Sequence, residues 1–399
     1  MIVRQFLHWI RTAPAGRRAE ASGALARAYL YSDLAPADRA AAEGAMIALL
    51  DDPSPMVRQA LAEALAGSAD APHAVIHALA SDRRDIAEMV LARSPLFIDA
   101  ELVDLVATGD CARQAAIASR TPLQGPVAAA IAEVAAAEAC LVALENPAAD
   151  IAPAAIERIV ERFGHLGALR EALFARPDLP IAVRQTLVTL LSSKLADFVA
   201  ERAWLERERA EQVAREACEK ATVTMAACGA GDHRALIRHL RGGGQLTAGL
   251  MLRALLSGNL AMFEDALAEL ARLPLARVQA LIYDRGSSGF RAIFAKAGLP
   301  ASTYVAFREA LAASREVELA GERGRDVAAT VRTSRLKRRA VERVLATCER
   351  ADIGDIEPLL ILLRRFAAEA AREDARFYCE QLVAEDEDLQ FVEEDRAAA

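Results

Sequence analysis

The residues with the clearest chemical potential are few. His73-Ala-Val-Ile-His77 sets two imidazoles four residues apart, a spacing that brings both to one helix face and suits a shared metal ion. The glutamate of an HExxH site is missing from between them. No third ligand follows nearby, and Asp70 reads as part of the preceding turn. His73 and His77 are therefore expected as polar residues on the second helix of a repeat, and as candidate partner contacts. His233 and His239 lie six positions apart, about 240° of rotation, and do not share a face. The glycines around them, Gly229-Ala-Gly231 and Gly242-Gly-Gly244, match neither a P-loop nor a dinucleotide fingerprint. Arg285-Gly-Ser-Ser-Gly289 departs from the GxSxG nucleophile elbow and is expected as a loop between helices. Ser334-Arg-Leu-Lys337 has the letters of SxxK without its companion motifs. The reading is of no catalytic residue, no metal site and no cofactor. An enzyme would need a pocket near residues 229–290 gathering His233, His239, Asp284 and Arg285.

A basic cluster stands out more. Arg332, Arg335, Lys337, Arg338, Arg339 and Arg343 fall in one expected helix, and residues 321–350 carry nine basic against four acidic side chains. Such a patch suits phosphates, an anionic surface or an acidic protein partner. It holds no aromatic residue on which bases would stack, which disfavours single-strand reading. The alternative is a solvated face paired with the chain's own acidic tail, Glu385-Asp-Glu-Asp388 and Glu393-Glu-Asp395. A nucleic-acid binder would require Arg83 and Arg84 to join Arg335, Lys337, Arg338 and Arg339 along one groove.

These residues must be carried by helices. Hydrophobic residues make up 54% of the 399-residue chain but aromatics only 5%, so the apolar content is alanine and leucine, strong helix formers. The composition predicts an all-α fold. The net charge of −8 gives no global sign of a nucleic-acid binder. The six cysteines, Cys111, Cys140, Cys218, Cys228, Cys348 and Cys379, form no CxxC pair and are expected as buried, reduced thiols in a cytoplasmic protein. The start, with Ile2, Val3, Phe6, Leu7 and Ile10 on one side, is expected to cap the first repeat rather than act as a signal peptide. No charge-free stretch approaches the ~20 residues of a membrane span.

Repeats organise the first half. In the unit from Leu49 to Leu65, Asp51 to Pro55 make a turn. Ser54 is the expected N-cap and Pro55 the first helical residue, and Val57, Leu61 and Leu65 form one stripe. The pattern returns at Leu79–Leu91, Thr108–Ile117, Leu144–Ile151 and Phe174–Ile181, with a period near 30. Asp52 with Arg58, Asp110 with Arg113 and Asp178 with Arg184 recur as structural pairs. The expected organisation is HEAT-like repeats over 1–195 with an N-terminal cap, a long charged connecting helix over 196–228, a second all-helical module over 229–383 and an acidic tail over 384–399. The connecting helix is expected to be solvent-exposed and held by its own i, i+4 pairs, among them Glu216–Lys220 and Arg215–Glu219.

Three stretches carry a resemblance: Arg18-Ala-Glu-Ala-Ser-Gly-Ala-Leu-Ala-Arg-Ala-Tyr-Leu-Tyr-Ser-Asp33, the Asp51–Arg58 turn, and Leu270–Arg285 continuing to Ala297-Gly-Leu-Pro300. Together they resemble an alphaproteobacterial HEAT-like repeat family whose domain is of unknown function. The resemblance spans most of residues 1–310. It implies an irregular α-solenoid followed by a second helical module, and it brings no activity or site residue with it. The functional expectation is a non-enzymatic scaffold or adaptor with a protein partner, nucleic acid being the less favoured partner.

Overall fold

The computed structural model describes residues 6, 8–10, 12–228, 233–283, 287–321, 327–350 and 356–398, with side chains described except at 228, 287, 316–321, 327–334, 381 and 383–398. Among the described residues the regular elements are all helical, and the only β feature is an isolated bridge between Leu123 and Ala149. No helix among them is long and apolar enough to cross a membrane. The expected cap helix at the start lies largely outside the described residues. The chain forms two compact units, Met1–Val183 and Arg184–Ala399.

The first unit holds α1 (Ala15–Tyr31), α2 (Pro36–Leu49), α3 (Pro55–Leu65), α4 (His73–Ala80), α5 (Arg84–Arg93), α6 (Asp99–Thr108), α7 (Cys111–Ala118), α8 (Gly125–Val134), α9 (Ala137–Glu145), α10 (Pro153–Phe163) and α11 (Gly167–Ala175). Proline opens α2, α3 and α10, where its missing N–H costs no helical bond. Helices pack on the next but one: α3 on α5, α5 on α7, α7 on α9 and α9 on α11, with α6, α8 and α10 forming a parallel series. Val57, Leu61 and Leu65 are completely buried, as their spacing requires. Ser54 departs from expectation. Its side chain makes no capping bond to α3, and its amide instead donates to Asp52 Oδ1 at 2.8 Å. Asp110 does cap α7, accepting from the Arg113 amide at 2.9 Å.

Arginines tie helices of the first unit together. Arg18 grips Asp52 with Nε and Nη2, each at 2.8 Å. Arg58 reaches Asp82 at 2.5 and 3.0 Å while donating to the Asp52 carbonyl at 2.6 Å. Arg120 donates to the carbonyls of Leu91 and Ser94, at 2.6 and 2.7 Å, closing the C-terminal end of α5. Arg162 does the same to Ala132 and Ala135 at the end of α8, at 2.7 and 2.8 Å. Arg120 and Arg162 each satisfy two carbonyls of a helix end 26 to 30 residues back in the chain and sit at the favourable end of the helix dipole. Of the three expected Asp–Arg pairs, the first uses the aspartate carbonyl and the second is the cap just described. Asp178 pairs with Arg176 at 2.8 Å.

The second unit comprises α12 (Ile181–Glu201), whose first turn belongs to the preceding unit, α13 (Arg207–Cys228), α14 (His233–Gly242), α15 (Ala248–Leu256), α16 (Leu260–Ala271), α17 (Leu275–Tyr283), α18 (Ser287–Lys296), a 3-10 turn at Ala301–Thr303, α19 (Tyr304–Gly321), α20 (Val327–Arg350) and α21 (Glu357–Ala398). The expected single helix over 196–228 is broken. α12 ends in a Schellman-type turn: Ala203 is left-handed at φ 54°, and the Trp204 amide donates to the Val199 carbonyl at 3.1 Å. Trp204 packs edge-on against Phe198 at 5.7 Å, which holds the turn. The acidic tail over 384–399 is not a separate segment up to Ala398, since α21 continues as helix to that residue. Gly289 lies in the first turn of α18 rather than in a loop. A Cβ there would stand 2.9 Å from the Leu281 carbonyl, so glycine permits α17 and α18 to approach. An aromatic cluster of Phe263, Phe290, Phe294, Tyr304 and Phe307, with centroids 5.3–6.5 Å apart, fills the space beside them.

Arg120→Ala is expected to cost about 2–3 kcal/mol, because two half-buried carbonyls lose charged donors; urea denaturation measures this, and Arg120→Lys should restore only part of it. A second expectation concerns acid. Burial pushes the Asp52 and Asp82 carboxyls up, but hydrogen bonds from Arg18 and the Ser54 amide to the first, and from Arg58 and the Arg83 amide to the second, outweigh it together with the guanidinium charges. Both are held below the usual carboxylate range. Their stabilisation is complete above the unfolded value, about 3.9, and is lost as pH falls through the lower folded values. Thermal unfolding of the wild type should therefore depend more steeply on pH below about 4 than that of Asp82→Asn.

Candidate functional site

The basic helix α20 is packed rather than displayed. Arg338 donates to Asp374 Oδ2 of α21 at 3.2 Å and pairs with Glu342 at 2.9 Å. Arg335 stands 4.0 Å from Asp374 Oδ1 and 5.6 Å from the Tyr378 ring centroid. Asp374 is buried. Lys337 is half-buried, and desolvation lowers its pKa despite the charge of Glu373. Arg339 and Arg343 are exposed, while the Arg332 and Ser334 side chains lie outside the described residues. Among the described residues the cluster is thus interleaved with carboxylates of α20 and α21, Glu342 and Asp374, while the side chains of 385–395 lie outside the described residues. A continuous cationic strip along α20 is not what these residues form.

The charged face of α13 has a different destination from the one its spacing suggests. Glu216 pairs with Arg365 at 2.5 Å, Lys220 with Glu373, and Glu219 lies 3.6 Å from Arg253. The i, i+4 partners expected for these residues are replaced by partners on α15 and α21. Arg253 is the centre of this set. It is only 5% exposed, pairs with Glu369 at 2.5 Å, and covers the Phe366 ring at 4.3 Å. Burial raises the Glu219 pKa, with Glu216 adding to it, although the Arg253 charge acts in the opposite direction. An arginine inside an apolar helical repeat carries no local signal of such a role; only its distant partners define it.

His73 and His77 stack with centroids 6.2 Å apart. His77 lies edge-on to Phe97 at 5.0 Å and has Nε2 3.7 Å from Glu101 Oε1. Glu101 is already engaged by the Ile98 amide at 3.1 Å. Among the described residues no group of three His, Cys, Asp or Glu side chains is placed to hold a metal ion. His233 and His239 take unrelated partners: the first contacts the Ala226 carbonyl at 2.7 Å, the second the Thr186 hydroxyl at 3.1 Å. Asp284 and Arg285 lie outside the described residues. Of the cysteines, Cys140 and Cys348 are buried, and burial pushes the Cys140 thiol up to about 11. Cys111 and Cys379 are exposed, contrary to expectation, and the Cys111 thiol donates to Glu138 at 3.5 Å.

Two concavities complete the picture. A cleft of about 520 Å³ opens between α12, α13 and the start of α15. Beside the charged Asp197, Glu211, Arg215 and Glu219, its wall carries an amide and hydroxyl network in which the Thr222 hydroxyl donates to buried Gln185 at 2.8 Å, and Gln245 meets Gln185 and Thr189 at 3.5 and 3.4 Å. In the first unit a shallow groove of about 710 Å³ runs between α1 and α3. Small residues, Ala19, Gly23, Ala60 and Ala64, line it, and Tyr31 and Met56 contribute side chains 79% and 56% exposed.

A family model described as "uncharacterised protein conserved in bacteria (DUF2336)" matches residues 86–373. The comparisons with curated proteins and with solved structures each give no match. Arg253→Ala is expected to destabilise the second unit by about 3–5 kcal/mol, since Glu219 and Glu369 would be left without their shared cation; guanidinium-induced unfolding of the full chain tests this.

Proposed function

The chain belongs to this bacterial family, DUF2336, and we propose that it is a non-enzymatic interaction protein, a HEAT-like helical scaffold or adaptor whose first unit receives a helical segment of a protein partner. The observation that supports this reading is the groove between α1 and α3. Two large apolar side chains, Tyr31 and Met56, stand exposed beside a floor of small residues. An amphipathic helix fits such a groove because small floor residues allow close backbone approach while the aromatic and the thioether flank its apolar face. Glu20, Glu63 and Arg27 lie along the same groove and would set orientation. The arginine struts between repeats support a scaffold role as well, since they hold the helices that form the groove in one register.

Affinity purification of the tagged full chain from its native host, compared with a Tyr31→Asp, Met56→Asp double variant, tests the proposal. Exposed substitutions leave stability within about 0.5 kcal/mol, so both proteins remain folded. The wild type is expected to retain a stoichiometric protein partner and the variant to recover at least about tenfold less, as loss of two anchor residues implies. Equal recovery by both, or salt-releasable nucleic acid in place of a protein, would overturn the reading.

A further inference from the structure

We propose that the second unit contains a binding site for a small phosphate-bearing anion, in the cleft where α13, α15, α20 and α21 meet. The cleft measures about 280 Å³ and is lined by four cationic side chains, Lys220, Arg253, Lys337 and Arg376, against one carboxylate, Glu373. Three of those cations have carboxylate partners: Lys220 has Glu373, Arg253 has Glu369, and Arg376 has Glu380. Lys337 has none within ion-pair distance among the described residues. A half-buried ammonium without a counter-ion is unfavourable and is ordinarily matched by an anion.

A second observation points to the same cleft. Arg253 is nineteen-twentieths buried; its Nε stands 3.6 Å from Glu219, but its Nη2 donates to no acceptor. Asn259 also lines the cleft. Its Oδ1 accepts from the Met262 amide at 3.1 Å as the N-cap of α16, and its buried Nδ2 is left without a partner. Buried donors in folded proteins are almost always satisfied, so two unpartnered donor groups on residues lining one cavity point to an acceptor that is not part of the chain. The ammonium of Lys337, the free guanidinium edge of Arg253 and the Asn259 amide together match a group with several anionic oxygens. A phosphate monoester supplies three acceptor oxygens and about −1.5 to −2 charge at neutral pH. The volume is at the small end of ligand sites, roughly 300–1,000 Å³, which restricts the ligand to a compact one. Phe377 and Val223 on the wall would face its organic part.

The full chain is titrated calorimetrically with inorganic phosphate, with phenyl phosphate and with vesicles containing phosphatidic acid, all at constant ionic strength. Phenyl phosphate is expected to bind one to one, with inorganic phosphate competing for the same site. Lys337→Met should weaken both by at least about tenfold while Arg84→Gln, on the first unit, leaves them unchanged. In the absence of ligand, Lys337→Met should keep or raise the Tm, because it removes an uncompensated ammonium. A loss of binding can then not be ascribed to unfolding, and Lys220→Gln serves as the second variant if the methionine chain does not fold. Absence of heat with either soluble phosphate up to about 10 mM, undiminished binding by both variants, or binding to the vesicles alone would overturn the proposal.

Discussion

The constraint on which this fold depends is that a guanidinium withdrawn from water must find acceptors. Helices supply them, because the last four carbonyls of each lack an internal partner. In the first unit Arg120 and Arg162 bring the two needs together, each taking a pair of carbonyls three residues apart at the end of a helix one repeat earlier. The bond therefore satisfies an orphaned helix end and fixes the spacing between repeats at the same time. Arg18 and Arg58 extend the principle to carboxylates, with Asp52 and Asp82 as bidentate partners. Apolar burial drives the stacking, but a stripe of alanine and leucine can slide; the forked, directional arginine bonds discourage that slip.

The second unit applies the same rule less completely. Arg253 is surrounded by Glu369, Glu219 and the Phe366 ring, yet part of its donor set remains unused. Lys337 and Asn259 contribute further unsatisfied donors at the same cleft. What sets this shortfall apart from the other unmatched buried polar atoms is that its donors line one cationic cleft, and that is the feature most indicative of a ligand. The first unit contributes differently, through a groove whose exposed Tyr31 and Met56 are costly in water and suited to a protein surface.

Much of the architecture was legible in the residues. The alanine- and leucine-rich composition led to an all-helical chain, and the Val57, Leu61, Leu65 stripe to a buried helix face. The features that escaped were those without a local signal. The helix break at 202–206 uses Ala203 in a left-handed conformation, where glycine would have announced it. The charges of α13 looked like i, i+4 pairs because that spacing is intrinsic to any charged helix; their partners on α15 and α21 are up to about 150 residues away in sequence. The basic cluster was visible as residue types, but its interleaving with Asp374 depended on where α21 lies against α20.

The sequence by itself determined what each segment buries: periodicity and propensity act over a few residues, so they are readable wherever helix and turn chemistry is local. The turn after Leu49 and the start of the next helix at Pro55 were readable for the same reason, as turn chemistry is a local event. Only the tertiary structure decided which charges are used up and which are left over. A lysine at 337 and an arginine at 253 are ordinary members of charged and apolar helices until their neighbours are counted. Ion-pair compensation is a sum over side chains brought together from four helices, and no window of the chain contains that sum.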